Sequence, residues 1–180
     1  MNVQHHLNPG HSSEAAAISL LGRDPVPRLL VLGLGNDILT DDAIGLHISA
    51  RLGRHLKGVA GITVTQTTQM GLALLDVVCG YEELILVDSV QTLQVPPGYL
   101  HVIADGAWTT STMISPHFIG IGEMLALGRE LGMPVPKHVT IFAIEVEDPF
   151  TVGTSLTPLL KLRLPAITRQ ILGHIQQARG

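Results

Sequence analysis

Arg28 to Gly45 reads RLLVLGLGNDILTDDAIG, and this stretch decides the fold. Arg28 to Leu34 is a continuous aliphatic run broken only by Gly33 and closed by Gly35, the pattern of a strand covered on both faces. After a loop from Asn36 to Thr40, the apolar residues Ile44, Ile48, Leu52 and Leu56 recur at every fourth position, which gives a helix one face to lay on a sheet. A buried strand feeding an amphipathic helix is the opening unit of an α/β fold.

The alternation continues downstream. Gly61 to Gln66 reads as a strand, Gly71 to Cys79 as a helix, and Glu83 to Asp88 (ELILVD) as a second fully buried strand ending in a carboxylate. Between Asp88 and Tyr99 lie only about ten residues, including Pro96-Pro97-Gly98, which is too few for a helical crossover. Tyr99 to Ala104 is therefore expected to run antiparallel to its predecessor. Ser115-Pro116 starts a helix that continues to about Leu131, with serine as N-cap and proline in the first turn. His138 to Glu145 is the last strand, and Ser155 or Thr157-Pro158 opens a final helix to Gln177. The expectation is a three-layer α/β sandwich: a mostly parallel, twisted sheet of about five strands with helices on both faces. Residues 1–27 read as a mobile polar leader and residues 28–180 as a single domain.

Composition narrows the function. The chain has 180 residues, 46% hydrophobic and 14% charged, with a formal net charge of −4. That length makes about one domain with its own core. The charge and the 3% aromatic content supply neither the basic field nor the stacking platforms that nucleic acid requires. Cys79 is the only cysteine, which excludes a disulfide framework and any multi-cysteine metal site. No apolar run is long enough to span a membrane, and the leader lacks the basic start and apolar core of a signal peptide. A cytoplasmic chain is the simplest reading.

Ligands of open α/β sheets bind beyond the carboxyl ends of the parallel strands, so chemistry is sought in the loops after Leu34, Gln66 and Asp88. Gly33-Leu34-Gly35 begins like a dinucleotide fingerprint, but Ile38 stands where its third glycine belongs, and no phosphate-cradling Gly-Lys-Ser/Thr occurs. Asp41 and Asp42 occupy a first helical turn, where acids ordinarily satisfy the helix start. Asp88 ends an apolar strand at the rim, and His117 follows Ser115-Pro116. The segment from Asp105 to Met113 is long enough to bring His117 back to the same rim. Two carboxylates and one imidazole can then meet, a set suited to a borderline divalent ion such as zinc or nickel. There is no Gly-x-Ser-x-Gly elbow, Cys79 reads as a small buried hydrophobe, and His47, His55, His101, His138 and His174 show no ligand spacing.

LLVLGLGNDILTDDAIG (Leu29 to Gly45), LILVDS (Leu84 to Ser89) and SPHFIG (Ser115 to Gly120) together resemble the hydrogenase maturation endopeptidases. The resemblance implies an endopeptidase that removes the C-terminal extension of the immature, nickel-loaded large subunit of a nickel-iron hydrogenase. It implies that Asp42, Asp88 and His117 bind the metal, that the nickel belongs to the substrate, and that zinc or another divalent ion can stand in for it in vitro. Asp41 becomes a candidate for proton transfer, and Asn36, Thr68 and Gln69 for substrate contact. The expected partner is the precursor subunit alone, met by a monomer. One departure bears on this: Gln66-Thr67-Thr68-Gln69 stands where many members carry Asp-Gly-Gly. That loss of an acid beside the substrate groove keeps a second reading open, a chaperone that checks the precursor for nickel without cutting it.

Overall fold

The computed structural model describes residues 28–104 and 116–179, the side chains of 116–119 apart. The leader and the segment from Asp105 to Ser115, with its expected N-cap, lie outside the described residues.

The strands are β1 (Leu29–Leu34), β2 (Ile62–Thr67), β3 (Glu83–Val90), β4 (Leu100–Ala104) and β5 (His138–Glu145). The helices are α1 (Ile44–His55), α2 (Leu74–Val78), α3 (Pro116–Glu130) and α4 (Pro158–Gln177); short 3-10 turns, Asp41–Ala43 and Gly71–Ala73, lead into α1 and α2. The sheet order is β2-β1-β3-β5-β4. All pairings are parallel except β4 with β5.

Side chains alternate across each strand, and the two resulting cores are distinct. Leu30, Leu32, Leu34, Leu84, Leu86 and Val90 pack with Leu74 and Val78 of α2 and Ile121, Met124 and Leu125 of α3. Leu29, Val31, Ile85 and Val87 pack on the opposite face with Ile44, Ile48 and Leu52 of α1 and Leu160, Leu164, Ile167 and Ile171 of α4. This is the three-layer sandwich expected from the sequence.

Three details differ. β3 does not end at Asp88; Ser89 and Val90 continue it, paired with Ile144 and Glu145 of the neighbouring strand. β4 is antiparallel as expected, but its hydrogen-bonded neighbour is β5, which follows it, rather than β3, which precedes it. Cys79 is half-buried at the end of α2, not fully enclosed.

Candidate active site

The chain leaves β1 toward β2 on one side of the sheet and reaches β3 on the other, so the switch point of the topology lies between β1 and β3. Their carboxyl ends are where a crevice is expected. The start of α1 sits directly on it. A Cβ added to Gly45 would lie 2.1 Å from the Leu34 carbonyl oxygen and 2.3 Å from that of Val87, and one added to Gly33 would lie 2.4 Å from the Gly45 carbonyl oxygen. Helix and strands therefore meet backbone to backbone. The close approach that Ile38 denies a dinucleotide fingerprint is supplied instead by Gly45, and it fixes the turn carrying Asp41 and Asp42 at the mouth of the crevice.

Asp42 and Asp88 are both buried, 9% and 0% exposed. Ser89 joins them. Its hydroxyl donates to Asp42 Oδ1 at 2.5 Å, and its backbone N–H donates to Asp88 Oδ1 at 2.8 Å. Strand alternation explains why one residue reaches both: Ser89 projects to the α1 side like Ile85 and Val87, whereas Asp88 projects to the α3 side like Leu84 and Leu86. The two carboxylates thus flank the end of β3. The Ser89 hydroxyl is the one hydrogen-bond partner of the Asp42 side chain among the described residues, and none of their salt bridges reaches it.

Asp41, one residue earlier, has the opposite surroundings. Fully buried, its carboxylate accepts hydrogen bonds from the backbone N–H groups of Glu147, Asp148 and Thr157 and from the Thr157 hydroxyl, at 2.7 to 3.3 Å. It stands in the first turn of the 3-10 helix, but these bonds run to a distant segment and not to that turn. They tie the segment between β5 and α4 to the loop after β1. Asp41 N–H donates to the Asp148 carbonyl, Thr40 N–H to Thr151 and Gly153 N–H to Ile38. The Thr40 hydroxyl adds a bond to the Asp148 carbonyl. Asp148, whose carboxylate is held below its usual range by hydrogen bonds from Thr151 and Phe150, closes the turn within that segment.

His117 is the second residue of α3; its side chain lies outside the described residues. The helix returns to the amino edge of the sheet, where Gly80 N–H donates to the Pro134 carbonyl and Lys137 N–H to that of Glu82. A helix of 15 residues laid along the strands covers about 22 Å, which puts its first turn at the opposite, carboxyl edge and on the face to which Asp88 projects. Among the described residues no three His, Cys, Asp or Glu side chains gather to hold an ion. Asn36 spends its side-chain oxygen on the N–H of Ile38. Thr68 and Gln69 line an open hollow of about 720 Å³ with Gln66, Asp37, Thr154 and His47. His47 carries no sequence signal for a site. Burial, and then the charge of Arg51, lowers its pKa and favours the neutral ring.

A further buried acid was missed. Glu145, at the end of β5, accepts bonds from the N–H groups of Thr92 and Leu93, the Thr92 hydroxyl and the His101 ring. Burial pushes its pKa up, but the bonds from Thr92, His101 and Leu93 outweigh that and hold it below the usual carboxylate range. The signal was present: like Asp88, it is a carboxylate directly following an aliphatic run, and here it does close the strand.

Comparison with known proteins matches residues 46–174 to the HycI family model, described as hydrogenase maturation protease. The chain is 26% identical over 153 residues to hydrogenase 2 maturation protease of Escherichia coli (strain K12), covering 84% of this chain and 92% of that one. It is 28% identical over 154 residues to the hydrogenase expression/formation protein HupD of Thiocapsa roseopersicina, covering 84% and 69%. The solved structure of the hydrogenase maturating endopeptidase HybD from E. coli superposes with a TM-score of 0.68 at 28% identity, over 84% of this chain and 93% of that one.

Proposed function

This chain belongs to the hydrogenase maturation protease family, and on that premise we propose that it cuts the C-terminal extension from the nickel-loaded precursor of a nickel-iron hydrogenase large subunit. It acts as a cytoplasmic monomer, with Asp42, Asp88 and His117 as the metal-binding residues. No helix among the described residues is long and apolar enough to cross a membrane.

The observation that carries this reading is the sparse hydrogen bonding of the buried Asp42 carboxylate among the described residues. A carboxylate taken out of water needs compensation by charge or several hydrogen bonds. Among the described residues Asp41 has four donors; Asp42, beside it, has one neutral hydroxyl. An arriving cation would supply what is missing, and hard carboxylate oxygens with one imidazole suit nickel or zinc. When bound, the precursor's nickel supplies Lewis acidity, polarising a carbonyl and acidifying a bound water.

The protein's own residues prepare the site. The Ser89 hydroxyl holds Asp42 Oδ1, while the Ser89 N–H holds Asp88 Oδ1. Such outer partners set the direction of a ligating carboxylate. Asp41 is assigned to the loop and not to proton transfer, because releasing a proton-transfer group there would first require breaking the bonds that hold residues 147–157.

Incubation with nickel-loaded precursor, followed by the precursor's mass, tests the activity. The wild-type protein is expected to remove the extension, and Asp88→Ala is expected to lose at least ~100-fold in rate while keeping its fold, since even outer partners of a ligand are worth 10–100-fold. Trimming by Asp88→Ala at the wild-type rate would remove Asp88 from the mechanism. Tight association with unchanged mass would replace cleavage by the non-cutting checking role.

A further inference from the structure

β2 is an edge strand, and among the described residues only β1 pairs with it. In a parallel pair, alternate residues of a strand give both backbone groups to the neighbour. The Leu29 N–H donates to the Gly61 carbonyl, which sets the phase: Thr63, Thr65 and Thr67 face β1, and Val64 and Gln66 turn N–H and C=O outward. Exposed edges are usually blunted by charge or proline, but Ile62–Thr67 (ITVTQT) contains neither.

The edge borders a trough. The hollow of about 720 Å³ beside Gln66 adjoins a second of about 280 Å³ along Val64, and the two share Ala50 and Gln66. Their opposite wall is Ala43 of the 3-10 turn and Ala50 and Gly53 of α1, small residues that border the outer side of the strand, with Gly53 close to Val64. At its upper end the trough reaches Ala43, the residue after Asp42. From β2 across β1 to β3 is two strand spacings, about 10 Å, or about three extended residues.

We propose that the stretch of precursor polypeptide beside the scissile bond binds as an added strand on the outer edge of β2, hydrogen-bonded to Val64 and Gln66. The inference rests on the reading of the chain as a processing endopeptidase. A peptide is the ligand whose donors and acceptors repeat with the spacing that a strand edge offers. The trough ends at Ala43, next to Asp42 in the chain, so a chain seated in it can carry its next peptide bonds across the end of β1 toward Asp42 and Asp88. Recognition through backbone then tolerates sequence in the bound stretch, and Gln66-Thr67-Thr68-Gln69 supplies neutral side-chain contacts where the strand leaves the edge.

Amide hydrogen exchange of the full-length protein, with and without excess nickel-loaded precursor, reads the edge, while precursor mass in the same samples reads cleavage. Exchange at Val64 and Gln66 is expected to slow at least ~tenfold with precursor. Gln66→Pro, which removes an outward N–H and leaves the β1 ladder intact, is expected to raise KM about tenfold with little change in kcat, the size of one lost hydrogen bond. Gln66→Ala keeps the N–H and loses only a side-chain contact, so it should raise KM clearly less than Gln66→Pro. Falling precursor mass with no slowing at Val64 and Gln66 would overturn the added strand and leave the protease reading standing. Unchanged mass would count against that reading, and the amides would still decide whether the strand forms. Slowing that tracks protein concentration without precursor would give the edge to a second copy and overturn the proposal, as would amides already slow in the dilute free protein.

Discussion

Two acids adjacent in sequence and both buried divide the carboxyl rim into a clamp and a lip. At the clamp, Asp41 is saturated by donors from residues 147–157. At the lip, Asp42 meets the Ser89 hydroxyl and Asp88 lies one residue away along β3. Both are largely buried, Asp41 fully and Asp42 with 9% exposed, so burial alone does not mark the site; the difference is compensation. A saturated carboxylate contributes rigidity. An under-compensated one is a cost to the fold that a cation can offset, which is how functional sites tend to sit against stability.

Substitution at the two positions should separate the regions by readout. Asp42→Ala is expected to lose at least ~100-fold in precursor cleavage, with a thermal midpoint equal to or above wild type, because it removes a poorly paired buried charge. Asp41→Ala is expected to orphan three backbone N–H groups and cost about 3 kcal/mol, lowering the midpoint by roughly 6–12 °C for a domain of this size. Cleavage by its folded fraction should survive. Thermal melts and precursor assays on the pair settle the matter; a large melting loss at Asp42 with none at Asp41 would erase the distinction.

A finer cut falls within the lip. If the Ser89 hydroxyl aims Asp42, Ser89→Ala should cost about tenfold in metal affinity and alter the melt little, while Ser89→Thr, which keeps the hydroxyl, should restore part of the loss. Calorimetric titration with nickel reads this directly. Equal affinity in Ser89→Ala and wild type would show that Asp42 needs no such aiming.

Much of this was legible in sequence, for reasons that also explain the rest. Arg28 to Leu34 and Glu83 to Val87 announce central strands because strands covered on both faces are aliphatic throughout. The fourfold spacing from Ile44 to Leu56 announces α1 because one face meets the sheet. The end of β3 was misread because Ser89 and Val90 are held by partners in β5, more than fifty positions away, and nothing local records that pairing. The partner of β4 escaped for the same reason. Spacing alone places Asp41 and Asp42 at the rim without distinguishing them, and only the family resemblance separates their roles, since a single residue's rotation around the turn decides whether a carboxylate meets residues 147–157 or Ser89. Nothing local to Gly45 records that the Leu34 and Val87 carbonyls press against it.

The clamp has a second post, and pH provides the gentlest way to loosen it. Glu145 holds Thr92, Leu93 and His101 much as Asp41 holds residues 147–157. Burial raises its pKa, but hydrogen bonds from Thr92, His101 and Leu93 prevail, so the folded value lies below the ordinary 4.5 of a glutamate. As pH falls, the unfolded chain takes up this proton first; the stabilisation is therefore complete above about 4.5 and is lost as pH drops through the lower folded value. Glu145→Gln keeps an acceptor for the two N–H groups but has no proton to bind. Its melting temperature should lie slightly below wild type at pH 7 and decline less steeply between pH 5 and 3, in steps of roughly one unit. A steeper acid decline in Glu145→Gln than in wild type would mean that Glu145 is protonated in the folded state and that its loop is held by other contacts.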